Sequence, residues 1–264
     1  MSSGLEQVSG GRLASSGGSR HHHHPIVRKL ARLVPLTEAD TAALGQLSAS
    51  MRQVAAHTDL VHEGAPLTEA VLVLQGFAIR YQLRDTGARQ ILAYLVPGDL
   101  CDPDAALLGE LDCTISTLSA CFVARVPQGV LSDILEQHPN VARGLRLAKL
   151  IEEATTRCWL TNAGCRSALE RMAHLLCELQ VRLQVVGFAT EDGYELPITQ
   201  HDLGDTLGLS NVHVNRTLRV LREQRLIEHH GKQLTILDLP RLQEIAEFKP
   251  GYLRSTASHA RLPL

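Results

Sequence analysis

The chain has 264 residues, of which 44% are hydrophobic and 20% charged, with a formal net charge of −2 at pH 7. This length and apolar content suit two domains with separate cores, and the near-zero charge gives no global attraction to nucleic acid. No apolar run approaches the roughly 20 residues of a membrane span and no signal peptide is recognisable, so we expect a cytoplasmic protein without a membrane partner.

Residues 1–24 are rich in serine and glycine and poor in large apolar side chains. Such a segment cannot offset the entropy lost on ordering, so we predict a disordered tail. Its histidines, His21 to His24, fit a transition-metal site, a vector remnant or an incidental tract. We assign no metal or other cofactor to the chain, and we expect a second flexible tail over residues 250–264.

Between about Leu60 and Val126, short runs typical of β-strands end at turn signals such as Asp85-Thr86-Gly87 and Pro97-Gly98-Asp99. The runs are Leu60 to His62, Ala70 to Leu74, Ala78 to Leu83 and Gln90 to Val96. This spacing predicts an antiparallel β-roll, or small jelly roll, within residues 25–138. A roll of this kind usually encloses a ligand cavity, so we interpret this region as a sensor domain.

From Pro139 the pattern becomes helical, and Asn140 is a candidate N-cap. Leu147, Ile151, Ala154 and Cys158 are spaced four, three and four, which is the seam of a coiled coil. The seam can pack on the chain's own roll, but its narrowness favours the same helix of a second subunit. We therefore predict a dimerisation helix over residues 139–163.

In a cytoplasmic protein the six cysteines are expected to be thiols, and none forms a Cys-x-x-Cys pair typical of structural zinc. Cys158 would face its symmetry mate on the predicted seam. A redox switch through Cys158 or Cys165 is one hypothesis, and small buried hydrophobes without redox function are the other.

We predict a winged helix-turn-helix domain over residues 164–249. Its first helix runs from Ser167 to Leu183, with leucines and Met172 on one face, and Gly187 to Pro197 has the pattern of a short hairpin. Leu226 to Glu228 and Gln233 to Leu237 then form a second hairpin, or wing, with Lys232 near its tip. Asp238 ahead of Pro240 predicts a last helix.

The helix-turn-helix lies at about residues 199–222. Thr199 is an N-cap, Gly208 ends the first helix in a left-handed turn, and Ser210 caps a second helix. Val214, Leu218 and Leu221 give that helix one apolar face. Because arginine can pair with guanine and asparagine with adenine, the opposite face predicts a helix that reads the major groove.

We divide the predicted DNA contacts into two groups. The residues predicted to read bases are Asn211, Val212, Asn215 and Arg216. The residues predicted to contact phosphate are Thr199, Gln200, Ser210, His213, Arg219 and Lys232. The arginines of the second helix outnumber the single Glu223, so positive charge is local to this helix although the net charge is not positive.

The pattern Thr199-Gln200-xx-Leu203-Gly204-xx-Leu207-Gly208-Leu209-Ser210-xxx-Val214-xx-Thr217-Leu218-xx-Leu221 resembles the CRP/FNR family of bacterial transcription regulators, named for the cAMP receptor protein and the fumarate-nitrate regulator. The resemblance extends over roughly residues 26 to 248. It implies an α+β protein with a cyclic-nucleotide-binding-like roll, a dimerisation helix and a winged helix, acting with RNA polymerase as partner. It also implies a palindromic operator with half-sites about one helical turn apart.

This chain departs from the family's usual residues at two sites. The family commonly has a glutamate where Val212 stands, and a valine can pack on a thymine methyl but cannot accept a hydrogen bond from cytosine. In the roll, Asp102-Pro103 and Cys113-Thr114 occupy the places of the family's Gly-Glu and Arg-Ser pairs, which hold ribose and cyclic phosphate. The loss of that arginine and the presence of Asp102, Asp104 and Asp112 predict that cAMP does not bind.

Other cofactors and other classes of protein remain as alternatives. The family's iron–sulfur cluster needs cysteines near the N-terminus, and none precedes Cys101. Haem would need an axial ligand such as His57, His62 or His138. A cupin-like enzyme needs a clustered His-x-His and Glu set, and no His-x-His occurs in the roll, so we predict no catalytic residues. A cyclic-nucleotide-responsive subunit without DNA binding conflicts with the winged helix. The effector, and activation versus repression, stay open.

Overall fold

The computed structural model describes residues 24–66, 68–103 and 109–253. The predicted N-terminal tail up to residue 23, including His21 to His23, lies outside the described residues, as do Asp104 and residues 254–264. His24 is the residue immediately before the first helix.

The chain has a strand-rich N-terminal part followed by a helix-rich C-terminal part. The helices of the described residues are α1 (Pro25–Ala31), α2 (Glu38–Gln46), α3 (Gln128–Gln137), α4 (Pro139–Cys165), α5 (Ala168–Val186), α6 (Gln200–Leu207), α7 (Asn211–Glu223) and α8 (Leu239–Ile245). The strands are β1 (Arg52–Val54), β2 (Asp59–Val61), β3 (Glu69–Gln75), β4 (Ala78–Leu83), β5 (Arg89–Leu95), β6 (Leu100–Cys101), β7 (Thr114–Thr117), β8 (Cys121–Pro127), β9 (Gly193–Glu195), β10 (Ile227–His230) and β11 (Gln233–Ile236).

Strands β1 to β8 form the predicted β-roll. Two four-stranded sheets have the orders β1-β8-β3-β6 and β2-β7-β4-β5, and their strands pair antiparallel. The turn between β3 and β4 requires Gly76, whose φ is +86° and where a Cβ would lie 2.4 Å from the Ala120 carbonyl oxygen. Helices α1 to α3 cover one side of the roll through a core that includes Ile26, Leu44 and Leu131.

The long helix α4 begins one residue earlier than its predicted cap. His138 is the N-cap and Pro139 lies in the first turn, where its fixed φ suits a helix start. Asn140 is therefore not the cap, and its amide donates to Asp40 Oδ2 of α2 at 3.2 Å. The helix ends at Cys165, two residues beyond the predicted boundary.

The C-terminal part is the predicted winged helix, with one difference in its sheet. Helix α5 starts at the capping box of Ser167 and Glu170 and ends at Gly187, whose φ is +81°. The hairpin predicted over Gly187 to Pro197 is present as an antiparallel bridge between Ala189 and Tyr194, and its second strand also joins a three-stranded sheet of order β10-β11-β9. Strand β9 pairs with the wing because Gly193 permits close approach: a Cβ there would lie 2.3 Å from the Leu234 carbonyl oxygen.

The predicted C-terminal tail begins too early. Pro250–Leu253 form a 3-10 helix, and Leu253 is buried. The Tyr252 hydroxyl donates to Glu178 Oε2 of α5 at 3.0 Å, and its ring stacks on His174. These anchors order the four residues, which composition alone did not reveal.

The β-roll and the winged helix share one apolar core. This core contains Ile79, Ile91 and Tyr94 of the roll together with Leu203 and Leu218 of the helix-turn-helix. The helix-turn-helix is thus packed directly on the roll.

Candidate nucleic-acid interface

The first helix of the helix-turn-helix starts at a complete capping box. The Asp202 amide donates to the Thr199 hydroxyl oxygen at 3.1 Å, while the Thr199 amide donates to Asp202 Oδ2 at 3.1 Å. Burial alone would raise the pKa of Asp202, but hydrogen bonds from Thr199 and Arg89 outweigh it and lower that pKa. A charged Asp202 therefore fixes where α6 begins.

The same geometry changes the role predicted for Thr199. Its hydroxyl also donates to Asp202 Oδ2 at 2.5 Å, so its hydroxyl proton and its amide proton both point to one carboxylate. With both of its donors engaged, Thr199 holds the helix start and is not placed to donate to phosphate. Gln200, the next residue along, is exposed.

The turn between the helices follows the predicted pattern. Gly208 has φ 64° and ψ 40°, the left-handed conformation that ends α6. The Ser210 hydroxyl then accepts from the His213 amide at 3.4 Å and lies 3.1 Å from His213 Nδ1. Ser210 and His213 therefore form one polar unit at the start of α7.

Helix α7 divides into a buried and an exposed face. Val214, Leu218 and Leu221 are buried in the shared core. All of the predicted base-reading residues are exposed together on the other face: Asn211, Val212, Asn215 and Arg216. Val212 is 77% exposed, which is unusual for a large apolar side chain and leaves its methyl groups free to contact a partner.

Positive charge surrounds this face. Arg216, Arg219, Arg222 and Arg225 are all exposed. Arg219 pairs with Glu223 at 3.1 Å, so part of its charge is offset before DNA arrives. On the wing, Lys232 is exposed immediately after Gly231 in the turn between β10 and β11. The predicted contacts therefore lie on α7, at the start of α6 and at the wing tip.

The roll contains a functional candidate that the sequence analysis missed. Arg80 of β4 lies 3.0 Å from Asp102 and 2.6 Å from Glu152 of α4, and its side chain is only 13% exposed. Asp102 adopts a positive φ of 51°, which is strained for a residue other than glycine. The roll is thus joined to α4 by ion pairs at the loop where the family's ribose-binding residues would stand.

The predicted dimer seam is only partly available to a second subunit. Leu147, Ile151, Ala154 and Cys158 are each half-buried within one chain. Ile151 packs against the chain's own core. The apolar side chains that α4 leaves exposed are Leu150 and Leu160, at 48% and 75%. The dimer seam through Leu147, Ile151, Ala154 and Cys158 stays a prediction.

The two candidate redox cysteines have different surroundings. Burial raises the pKa of Cys158, and the nearby Glu178 of α5 raises it further. A raised pKa keeps this thiol protonated and less reactive. Cys165, at the end of α4, is exposed.

The described part of the chain contains neither a metal-binding cluster nor a membrane-spanning helix. Over residues 24–66, 68–103 and 109–253, no group of three histidine, cysteine, aspartate or glutamate side chains is close enough to hold a metal ion. Within the same ranges, no helix has the length and apolar character needed to span a bilayer.

Two family models match the chain in the order of its domains. The cyclic nucleotide-binding domain matches residues 51–138, and the Crp-like helix-turn-helix domain matches residues 170–245. The first match covers the roll and α3, and the second covers most of the winged helix. The strands and the capped helices described above thus coincide with both matches.

Curated relatives and solved structures agree with these matches. The fumarate and nitrate reduction regulatory protein of Vibrio cholerae is 24% identical over 80% of this chain and 84% of its own length. The transcriptional activator protein FnrL of Cereibacter sphaeroides is 27% identical over 74% of this chain and 79% of its own. FixK2 from Bradyrhizobium japonicum has the same fold, with a TM-score of 0.66 at 24% identity over 74% of this chain and 96% of that one.

Proposed function

Because the chain belongs to the CRP/FNR family of DNA-binding transcription regulators, we propose that it acts as a cytoplasmic homodimer that reads a palindromic operator. The observation that carries the proposal is the exposed face of α7, where Asn211, Val212, Asn215 and Arg216 stand together beyond a capped helix start. Two such helices related by a twofold axis fit two half-sites about one helical turn apart. RNA polymerase is the proposed protein partner.

Arg216 carries the largest share of sequence recognition in this proposal. Replacing Arg216 by alanine should cost about 1 to 3 kcal/mol at one base position, because a bidentate contact with guanine is lost. The measurement is fluorescence anisotropy on a duplex selected from random DNA and on single-base variants of it. Lys232→Ala is the matched control. It should weaken binding to all DNA sequences alike and lower the slope of log affinity against log salt concentration by about 1. If Arg216→Ala keeps wild-type affinity and selectivity, the proposed placement of α7 residues against the bases is wrong.

Val212 supports an operator that differs from the family's common one. Its exposed isopropyl group can pack on a thymine methyl and cannot accept from cytosine. We therefore propose a thymine at the base facing Val212, with His213 and Gln200 on adjacent phosphates.

We propose that the second subunit meets α4 along Leu147, Leu150 and Ala154. Leu150 is exposed within one chain, so Leu150→Glu should leave the chain folded but place charges in the seam. The dimer dissociation constant should rise at least about tenfold, as expected for a buried interface side chain. Analytical ultracentrifugation measures it, with Leu83→Glu on the roll as a control of similar exposure. An unchanged dimer dissociation constant in Leu150→Glu would show that the interface lies elsewhere.

We propose that the effector of the roll, if it has one, is not cAMP. A cyclic phosphate would have to displace the Asp102 and Glu152 carboxylates from Arg80 and then face both acids. The regulator is then either independent of a small molecule or responsive to oxidation. For the second case the exposed Cys165 is a better candidate than Cys158, whose pKa is raised.

A further inference from the structure

Arg89, on strand β5 of the roll, holds two carboxylates of the helix-turn-helix. Its Nη2 atom lies 2.5 Å from Asp202 Oδ1, and its Nε atom lies 2.7 Å from Asp205 Oδ2. The three side chains are 24%, 5% and 15% exposed. Ion pairs with this degree of burial are screened less by salt than surface pairs. The contact therefore joins the sensor roll to the DNA-reading unit.

The Asp202 carboxylate takes part both in the ion pair with the roll and in the capping box of α6. Asp202 Oδ1 accepts from Arg89, while Oδ2 accepts from the Thr199 amide in the capping box that starts α6. A movement of Arg89 would thus change the position of Asp202 and so of the first turn of α6, next to the exposed Gln200. Asp205, one turn later, is outside the capping box. It accepts from Arg89 Nε and lies 3.7 Å from His201 Nε2.

Further contacts from the same strand fix the orientation of α6. The Tyr94 hydroxyl lies 2.6 Å from the Thr206 hydroxyl, and the Gln90 amide donates to the Thr206 carbonyl oxygen at 3.3 Å. Ile91 lies in one apolar core with Leu203. Polar contacts at both ends of α6, with apolar packing between them, resist rotation of the helix on the roll.

This docking leaves the DNA-reading surface uncovered. Gln200, Asn211, Arg216 and Lys232 are all exposed while α6 is held on the roll. In a dimer, the second helix-turn-helix gains affinity only if its position matches the second half-site, because that step is intramolecular. A fixed contact between each roll and its α6 sets that position.

We propose that Arg89 is a positioning residue for operator binding: its ion pairs with Asp202 and Asp205 hold each helix-turn-helix where both half-sites can be engaged at once. This inference rests on the proposed function. It assigns to Arg89 no contact with DNA.

The test compares a full palindrome with a duplex that contains one half-site, both taken from selection on random DNA. Arg89→Ala in the full-length protein should weaken binding to the full palindrome roughly 5- to 50-fold, within the usual range of coupling between sites. Binding to the half-site duplex should not change, because α7 and the capping box remain intact. Arg84→Ala is the matched control, an exposed arginine on the same β-hairpin.

A double-mutant cycle with Asp205→Asn identifies the partner. Asp205→Asn alone should weaken full-palindrome binding, and adding it to Arg89→Ala should weaken binding little further. Wild-type or tighter full-palindrome binding in Arg89→Ala would overturn the inference, as would equal losses on both duplexes, which indicate local damage to α6. Failure of the wild-type chain to bind any selected duplex would instead overturn the proposed function.

Discussion

Replacing Arg182 by methionine is expected to lower the free energy of unfolding by about 3 to 5 kcal/mol, because it removes the cation that is paired with the buried Glu178. Asp99 loses one of two cations and keeps its pair with Lys29. Arg182, on α5, donates to Asp99 Oδ2 at 2.9 Å, to Glu178 Oε1 at 3.2 Å and to the Tyr94 carbonyl oxygen at 2.7 Å. Glu178 is fully buried and also accepts from Trp159 Nε1 at 2.9 Å. Methionine keeps an unbranched apolar stem but supplies no charge and no donor.

Chemical denaturation of the wild type and Arg182→Met measures this loss. Arg157→Met is the matched control on α4, since its pair with Glu153 is exposed and 3.9 Å long and is worth at most about 1 kcal/mol.

Burial raises the pKa of Glu178 although Arg182, Trp159 and Tyr252 oppose the shift. Adding Glu178→Gln to Arg182→Met removes one stranded charge and should recover part of the stability. A loss under about 1 kcal/mol in Arg182→Met would show that water already solvates these acids.

Local signals in the sequence predicted the helix-turn-helix well. Thr199, Gly208 and Ser210 act on backbone groups within a few residues of themselves, so their effects can be inferred from spacing alone. The alternation of the β-runs with turn residues likewise predicted strands β2 to β5 of the roll. These features depend on short stretches of chain.

Contacts between distant segments could not be predicted in this way. Arg89 pairs with Asp202 across 113 positions, and Arg182 pairs with Asp99 across 83. An arginine in a sequence looks the same whether it is solvated or buried against an acid. The same limit explains why the pairing of β9 with the wing was not predicted and why the packing of Ile151 on the chain's own core was not predicted: each depends on which face a distant segment covers.

Lowering the pH from about 6.5 to about 4 is expected to remove about 3 kcal/mol of stability through His174 alone. This ring is 3% exposed and packs on the rings of Phe248 and Tyr252, with centroid distances of 5.1 Å and 6.1 Å. Burial, assisted by the nearby Arg166, lowers its pKa from 6.5 to about 4. In the unfolded chain the imidazole takes up a proton below about pH 6.5, whereas in the folded chain it stays neutral until about pH 4.

The hydrogen bonds around His174 independently require the neutral ring. Arg166 donates to Asn162 Oδ1 at 2.9 Å, so the amide nitrogen of Asn162 faces His174 Nδ1 at 3.1 Å. An amide nitrogen can only donate, so Nδ1 must accept and cannot carry a proton. Protonation would place two donors against each other inside the core that joins α4, α5 and the C-terminal 3-10 helix.

The measurement is the free energy of unfolding between pH 7.5 and pH 4 for the wild type, His174→Gln and His62→Gln. Other acids also titrate in this range, so the readout is the difference between the curves. His174→Gln keeps an acceptor for Asn162 and should flatten the acid loss by about 3 kcal/mol, whatever its stability at neutral pH. His62 is exposed on the roll, and its replacement controls for the loss of a surface imidazole. If the His174→Gln curve is parallel to that of the wild type, His174 takes up its proton over the same pH range in the folded and the unfolded chain, and the predicted lowering of its pKa is wrong.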